Sequence, residues 1–158
     1  VRIIRAMPNT PALVGLGVTG LFPSRCSVYE QSFAEKLFAG TGKTVWLEKE
    51  QDINAIIAVT GSAPAYFFYF MQAMQQVALE LGFDEAQAKA MVAQTALGAA
   101  TMANQSELSF EALRAQVTSK GGTTHEAIET FKQHKLESMV KDAMYAAIRR
   151  AEEMANPL

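Results

Sequence analysis

The sequence predicts a mainly α-helical protein that is preceded by a short α/β segment. Four of the five prolines lie within the first 64 residues, the fifth is Pro157, and residues 65–156 contain none. Because proline removes a backbone donor from a helix, the proline-free stretch permits long helices. Strand-like runs occur only before Glu50, whereas apolar residues recur at helical spacing after it.

The first 50 residues are expected to form three short strands and one helix. The strand patterns cover residues 1–5, 17–22 and 44–48, with a turn over residues 7–11. Ser27 and Glu30 have the spacing of a capping box, which predicts a helix that begins there and ends at Gly40. So few elements cannot form an independent α/β domain, so this segment is expected to be the end of one.

Helices are expected throughout the rest of the chain. A short helix around Ile53 and Ile57 is expected to break at residues 61–64, and a long helix then runs to Gly82. Two further capping boxes, Asp84 with Gln87 and Thr123 with Glu126, are expected to begin other helices. The spacing of apolar residues predicts a shorter helix over residues 110–117 and a last helix that begins near Leu136.

Two stretches indicate packing against another surface. Residues 53–79 carry no charge, and a membrane span needs about 20 mostly apolar residues. However, this stretch also contains glycine, proline, asparagine and glutamines and lacks an asymmetry of flanking basic residues, so a core or a subunit interface is favoured. Residues 96–103 are nearly all small around Gly98, which lets another backbone approach closely.

Composition excludes several classes of function. The net charge is −2, from 14 basic and 16 acidic residues, so the sequence lacks the excess of basic residues that is typical of a nucleic-acid-binding protein. A single cysteine, Cys26, excludes an intramolecular disulfide framework and a multi-cysteine zinc site. His125 and His134 alone offer little to a transition metal. With no signal-peptide pattern and no initiator Met, the chain is expected to be cytoplasmic and a piece of a longer protein.

Two glycine-rich motifs resemble phosphate-binding sequences without their context. Residues 15–20 fit a dinucleotide fingerprint, but that motif needs a helix that opens at the glycines, and Pro23 and extended residues follow instead. Residues 40–44 resemble the end of a phosphate loop, but Leu37 stands where that motif needs glycine. Both segments are therefore predicted to belong to strands or turns.

The loop over residues 116–125 is the strongest candidate site. Gly121 and Gly122 precede Thr123 and Thr124 at a predicted helix start. Outward-facing amides and the partial positive charge of a helix N-terminus form an anion site without a formal charge. The hydroxyl of Thr124 adds a group that both donates and accepts. The alternative is an ordinary glycine-rich turn with a threonine cap. Residues 60–64 form a second, weaker small-residue helix start.

These residues resemble the pyrroline-5-carboxylate reductase family. Residues 113–128 are similar to its signature, a Ser-x-Gly-Gly-x-Thr loop that enters a helix. Residues 4–11 resemble the stretch that closes its cofactor domain, and residues 61–66 resemble its Gly-Ser-Gly-Pro-Ala-Tyr segment, with Ala63 in place of a common glycine. The resemblance implies that residues 1–50 are the last strands of a Rossmann dinucleotide-binding domain. It also implies that residues 51–158 are an all-helical dimerisation and substrate-binding domain.

The resemblance also implies a reaction, which is hydride transfer from NADPH or NADH to the C=N carbon of 1-pyrroline-5-carboxylate, giving L-proline. Thr124 would be catalytic, through a hydrogen bond to the ring nitrogen. The other implied substrate-binding residues are Ser119, Gly121, Gly122, Thr123 and, with less weight, Glu107. Met7, Pro8 and Asn9 would lie by the nicotinamide end of a cofactor that is bound mainly by an absent N-terminal domain.

The implied partner is a second copy of the chain, in a homodimer that could assemble further, with no nucleic acid and no membrane. The isolated chain is expected to be inactive. One alternative is a purely structural helical dimerisation module. Another is the C-terminal domain of a β-hydroxyacid dehydrogenase-like enzyme, which would need a catalytic lysine. Lys89 and Lys120 are the only lysines between Lys49 and Lys132, and neither has that family's surrounding motif.

Overall fold

The computed structural model describes residues 1–155, and residues 156–158, with Pro157, lie outside the described residues. Strands β1 to β3 and helices α1 to α7 follow one another with short 3₁₀ turns and one π-helical segment. The strands are Ile3–Met7, Gly17–Ser24 and Gly42–Trp46, and the helices are Val28–Phe38, Asp52–Ile56, Ala63–Glu80, Glu85–Gln105, Phe110–Gln116, Thr123–Gln133 and Leu136–Ala155. The expectation of a mainly helical chain that begins with a short α/β segment is confirmed.

The chain divides into two compact units. We call Val1–Phe67, together with the chain from Lys141 onward, the sheet unit, and Phe68–Val140 the helical unit. In the part of the chain that the structure describes, the strands form one sheet in the order β1-β2-β3. Strand β1 runs antiparallel to β2, with Met7 opposite Gly20. Strand β3 runs parallel to β2, and helix α1 connects these two strands, since parallel neighbours need a crossover.

The glycine-rich motif at residues 15–20 belongs to the sheet, as predicted. Gly15 closes a 3₁₀ helix, Thr10–Val14, with φ +73°, and β2 begins two residues later. Gly17 lies opposite Gly42, and a Cβ atom at Gly42 would collide with the carbonyl oxygen of Gly17. The two strands therefore meet at a point where neither residue has room for a side chain. No helix opens at these glycines, so they do not form a dinucleotide phosphate site.

Strand β2 carries the core of the sheet unit. The exposed fractions of Thr19 and Leu21 are 1% and 0%. On one face of the sheet, Ile4 and Ala6 share an open groove with residues of α1 that include the buried Ala34. On the other face, the side chain of Ile56 lies so close to Gly20 that a Cβ atom there would stand 2.9 Å from its Cγ2. The sheet therefore lies between α1 and the helix that begins at Asp52.

Two of the three predicted capping boxes are present. Ser27 Oγ accepts from the amide of Glu30 at 3.3 Å, and the Ser27 amide donates to Glu30 Oε2 at 2.8 Å. Asp84 and Gln87 form the same reciprocal pair at 2.8 and 3.2 Å. These bonds satisfy amides that a helix start leaves without partners, so the beginnings of α1 and α4 are fixed by local sequence.

The third predicted box, Thr123 with Glu126, is wrong. Gly122 is the N-cap of α6, with extended backbone (φ −86°, ψ 172°) and no side-chain capping bond. Thr123 is therefore the first helical residue rather than the cap. The cause lies one residue earlier, because Gly121 adopts the left-handed conformation (φ +73°) and turns the chain so that Gly122 precedes the helix.

The predicted break at residues 61–64 falls at Ser62, which separates two helical segments, although the predicted short helix first continues as a π-helical segment up to Gly61. Helix α2 continues into a π-helical segment, Ile57–Gly61, and α3 begins at Ala63. The amide of Ser62 donates to the carbonyl of Ile57 at 2.7 Å, five residues back rather than four. Pro64 lies in the first turn of α3, where the lack of an amide hydrogen is tolerated.

The helix over Asp52–Glu80 is long and apolar enough to cross a membrane by length and composition, although the core helix of a soluble protein passes the same test. The mean hydropathy of its most apolar 18-residue stretch is 1.3, and only 17% of that stretch is buried. Phe67 and Tyr69 are 65% and 76% exposed. On α4, a Cβ atom at Gly98 would meet no atom of residues 1–155 within 4 Å, apart from the backbone of its own helix. The small-residue face and the aromatic face are therefore uncovered in the single chain.

Candidate functional site

The candidate loop connects two helices of the helical unit. Helix α5 ends at Gln116, and the hydroxyl of Thr118 donates to the carbonyl of Arg114 at 2.6 Å, which closes its last turn. Helix α6 begins at Thr123. The connection is short enough for its turn to be set by its own residues, as predicted from the glycine pair.

A tight turn shapes this loop. The amide of Gly122 donates to the carbonyl of Ser119 at 3.0 Å. A Cβ atom at Gly122 would stand 2.6 Å from Ser119 Oγ and 3.2 Å from Ser119 O. Only glycine therefore lets the Ser119 side chain fold over the turn. The structure brings together Ser119, Gly121, Gly122 and Thr123, four of the residues that the sequence singled out.

The helix start that follows the turn is left open. Among the described residues, no acceptor is found for the amides of Thr123, Thr124 and His125, and Glu126 is the first to bond back, to Gly122 O at 3.2 Å. Thr123 and Thr124 are both exposed. Three unpaired amides at the positive end of a helix, with no side-chain cap competing for them, form an anion-binding arrangement. Anion binding at this helix start stays a prediction.

Glu129 on α6 is paired with a cation, whereas Glu126 places an exposed carboxylate in the first turn of the same helix. Lys132 Nζ donates to Glu129 Oε1 at 2.7 Å. This hydrogen bond lowers the pKa of Glu129, and the charges of Lys132, His125 and Arg114 lower it further. Glu129 thus stays ionised beside its own cation and does not present a free negative charge toward the helix start.

Glu107 is not brought to the loop by any contact. It follows Ser106, the residue that caps the end of α4, and its side chain is exposed. The local turn is closed by the Leu108 amide, which donates to Ser106 Oγ at 3.1 Å. Within residues 1–155, Glu107 has no hydrogen bond or ion pair, so its part in a site stays a prediction.

The predicted cofactor-side residues, Met7, Pro8 and Asn9, lie at the end of β1 in the sheet unit. Pro8 is exposed, and Met7 is half-buried with its Cε 3.3 Å from the position that a Cβ atom at Gly61 would occupy. The Asn9 side chain bonds within the protein, because Oδ1 accepts from the Val18 amide at 2.8 Å and Nδ2 donates to the Thr60 carbonyl at 3.0 Å. Sequence reasoning missed this role for Asn9.

Two further observations concern residues outside the candidate loop. The hydroxyl oxygen of Tyr66 is buried and has no hydrogen-bond partner among the described residues. Tyr66 closes the 61–66 segment that the sequence marked as family-like, but its orphan hydroxyl was not foreseen. In the same described part of the chain, no group of three His, Cys, Asp or Glu residues is placed to hold a metal ion.

The comparisons with known proteins give one family. A family model described as pyrroline-5-carboxylate reductase dimerisation matches residues 50–154. A pyrroline-5-carboxylate reductase of Vibrio alginolyticus is 50% identical over 155 residues, which is 97% of this chain and 57% of that relative. The chain therefore spans a little more than half the length of the relatives that it matches.

Solved structures agree with the sequence comparison. A pyrroline-5-carboxylate reductase from Coxiella burnetii superposes with a TM-score of 0.93 at 42% identity, over 96% of this chain and 57% of that one. A Plasmodium falciparum pyrroline carboxylate reductase, solved with NADP bound, superposes with a TM-score of 0.88 at 25% identity, over 98% of this chain and 63% of that one. With the family model covering two thirds of its residues, the chain belongs to the pyrroline-5-carboxylate reductase family.

Proposed function

We propose that this chain is the C-terminal part of an enzyme that reduces 1-pyrroline-5-carboxylate to L-proline with NADPH or NADH. The observation that carries the proposal is the open start of α6, where three unpaired amides stand beside the Thr124 hydroxyl. Family membership supports the same reaction over a β-hydroxyacid dehydrogenase-like one.

The loop suits the two polar groups of this substrate. The carboxylate would accept from the amides of Thr123 and Thr124, where the helix dipole favours negative charge. The Gly122 amide is engaged by Ser119 O, so this glycine shapes the turn rather than donates to the substrate. Ser119 contributes its hydroxyl at the rim, and Glu107 would join only through a contact made with substrate present.

Thr124 would hold the ring nitrogen. When bound, the nicotinamide cofactor supplies the hydride that forms the new C–H bond. The electron pair of the C=N bond then moves to nitrogen, which takes a proton from water, and the threonine hydroxyl stabilises that change by hydrogen bonding. An interaction that strengthens as charge shifts lowers the barrier to reaction more than it tightens ground-state binding.

The chain offers only part of a cofactor site. The exposed Pro8 and the half-buried Met7 give an apolar edge of the kind that a nicotinamide ring packs against. Residues 15–20 do not fit the pyrophosphate, because a 3₁₀ helix ends at Gly15 and a strand, rather than a helix, begins at Gly17. We therefore propose that residues 1–50 end a dinucleotide-binding domain whose phosphate loop precedes this chain, and that the isolated chain is inactive.

We also propose a cytoplasmic homodimer, formed through residues 53–103 and able to assemble further. The exposed aromatic residues of α3 and the open face at Gly98 support this, as does the dimerisation family that matches residues 50–154. Residues 51–158 would form the dimerisation and substrate-binding domain. Neither a nucleic acid nor a membrane is proposed as a partner.

The decisive experiment changes Thr124 in the complete enzyme. Thr124→Ala should lower kcat at least about 10-fold, because one lost donor to a charge-changing atom typically costs ~100-fold in preorganised sites. KM should change much less, since the carboxylate donors are backbone amides. Thr124→Ser keeps the hydroxyl and should recover most of the activity. An unchanged kcat in Thr124→Ala would remove the proposed role.

Thr123→Ala is the matched control on the neighbouring residue. Because Gly122 caps the helix, this change should cost little stability and little activity. If it abolishes turnover while Thr124→Ala does not, the roles belong to the other threonine. Separately, measurable turnover by the pure 158-residue chain, verified by mass spectrometry, would overturn the proposal that a preceding domain is required.

A further inference from the structure

Asn9 completes the antiparallel pairing of β1 with β2 by means of its side chain. The register places Ile3 opposite Ser24 and Met7 opposite Gly20. Two residues further along, it places Asn9 opposite Val18, beyond the last backbone pair. There the Val18 amide donates to Asn9 Oδ1 at 2.8 Å. The side-chain oxygen thus takes the place of the backbone acceptor that a longer strand would have supplied.

The other end of the same side chain meets a carbonyl that the helix cannot satisfy. In an α-helix the carbonyl of Thr60 would accept from the amide of residue 64, but residue 64 is proline and has no amide hydrogen. The proline ring also crowds the carbonyl four residues before it. Here the chain forms the π-helical segment Ile57–Gly61, and Asn9 Nδ2 donates to Thr60 O at 3.0 Å.

Both partners together specify a carboxamide. Val18 presents a donor and Thr60 presents an acceptor, so position 9 needs an acceptor and a donor on one short side chain. Aspartate would keep the bond from Val18 and place a carboxylate against the Thr60 carbonyl. Alanine would lose both bonds. Asn9 is half-buried, so each lost bond leaves a partner with reduced access to water.

We propose that Asn9 is a positioning residue that ties the end of β1 to the π-helical segment. The tie fixes Met7 against Gly61, where the Met7 Cε lies 3.3 Å from the position of a Cβ atom. Asn9 acts on the cofactor edge through Met7 and Pro8 rather than as a ligand, because both of its polar atoms already bond to the protein. This catalytic consequence rests on the proposed reductase function, whereas the tie itself does not.

Amide hydrogen exchange in the 158-residue chain tests the tie without any activity. Asn9→Ala should speed exchange of the Val18 amide about 5-fold or more, from the usual worth of one such hydrogen bond. In Asn9→Asp, the exchange rate of the Val18 amide should stay within about 2-fold of the wild-type rate, whereas the exchange rates of the amides in residues 57–66 should rise. Unchanged Val18 exchange in Asn9→Ala, with the protein folded, would overturn the inference.

A double-mutant cycle tests the reason for the tie. Pro64→Ala restores an amide hydrogen at the position from which an α-helix would donate to Thr60 O. The loss of protection that Asn9→Asp causes over residues 57–66 should therefore shrink about 5-fold in the Pro64→Ala background. Equal effects of Asn9→Asp in both backgrounds would contradict the assigned partner.

Kinetics of the complete enzyme separate positioning from binding. Asn9→Ala should lower kcat about 10-fold, since small misplacement of reacting groups is costly, while the dissociation constant for the nicotinamide cofactor stays within about 2-fold. A weakened cofactor with unchanged kcat would make Asn9 a ligand and overturn the inference. If exchange supports the tie but the wild-type complete enzyme reduces no 1-pyrroline-5-carboxylate, the proposed function fails and the tie stands.

Discussion

The sheet unit and the helical unit differ in how many apolar residues each one buries. In the sheet unit, Leu21 and Ala58 are completely buried, and Ile53 is nearly so. In the helical unit, the buried residues are Ala88 and Val92, both small or medium in size, while Phe68 on α3 stays 66% exposed. The sheet unit thus has a small core of its own, although Leu13 and Tyr29 in it are 90% and 82% exposed, whereas the helical unit buries only these two side chains, Ala88 and Val92, and leaves most of its apolar surface open. We expect a second copy of the chain to cover that surface.

The largest expected effect comes from filling the open face of α4. A Cβ atom at Gly98 would meet no described atom within 4 Å outside the backbone of its own helix, and Gly98→Trp introduces a residue with a better helix propensity, so we expect a monomer to tolerate the change. An obligate interface buries more than ~2,000 Å², and a tryptophan inserted into it should prevent close approach. We expect loss of the dimer at micromolar concentration, measured by light scattering.

Lys89→Trp is the matched control for that change. Lys89 is exposed on the same helix and lies nine residues from Gly98, about 180° around the helix axis. It should leave the dimer intact. A wild-type chain that is a stable folded monomer at micromolar concentration would break the comparison between the two units.

A core truncation in the sheet unit should have the next largest effect. Leu21→Ala removes a fully buried side chain on the central strand and should cost about 2–5 kcal/mol of unfolding free energy. Denaturant unfolding of the sheet signal, followed through Trp46 fluorescence, should show this loss equally at low and high protein concentration. A loss that depends on concentration would mean that the sheet unit also relies on the partner.

Equivalent caps in the two units allow a sharper comparison. Ser27→Ala in the sheet unit and Asp84→Ala in the helical unit each remove one capping acceptor, at a cost of about 1 kcal/mol. The melting temperature of the Asp84 variant should fall further as the protein is diluted, because its helix is stabilised across the interface. If both variants respond alike to dilution, the units unfold as one.

The smallest expected effect is a loss of stability at acidic pH that arises from one carboxyl group in the sheet unit. Hydrogen bonds from Ser27, with the charge of Arg2, hold the pKa of Glu30 below its ordinary value of 4.5. A carboxyl with a lowered pKa contributes stability above the unfolded pKa and loses it as the pH falls through the folded one. Glu30→Gln keeps an acceptor for the cap, so its melting temperature should fall less than that of the wild type below about pH 4.5.

Local patterns predicted most of the elements. The capping boxes at Ser27 and Asp84, and the strand at residues 17–22, depend on neighbouring residues and were predicted from them. The cap of α6 was not, because Thr123 and Gly122 both suit an N-cap and the choice depends on the left-handed backbone of Gly121. In the candidate site, the turn from Ser119 to Thr123 was predictable for the same local reason.

Long-range partners explain what could not be predicted. The π-helical segment is stabilised by Asn9, which is 51 residues away from Thr60 in the sequence. The pattern of apolar residues in 53–64 cannot predict a hydrogen bond from a side chain that follows a distant strand. Glu107 is the opposite case. The family resemblance implies a role in substrate binding for it, but among the described residues its side chain has no hydrogen bond or ion pair that would hold it in place.

The π-helical segment also sets the rotational phase of everything that follows it. A turn with i→i+5 bonding holds one more residue than an α turn, which rotates later side chains by about 100°. Counted along an unbroken α-helix, Phe67 would fall near the stripe of Ile53 and Ile56, which faces the sheet. Because of the extra residue, Phe67 instead lies on a different side of the helix from Ile53. This agrees with their exposed fractions, which are 3% for Ile53 and 65% for Phe67. One helix can therefore offer one stripe to its own sheet and a different stripe to a partner. Deleting a single residue from 58–60 would merge the two stripes, so this helix should be far more sensitive to length than to side-chain identity.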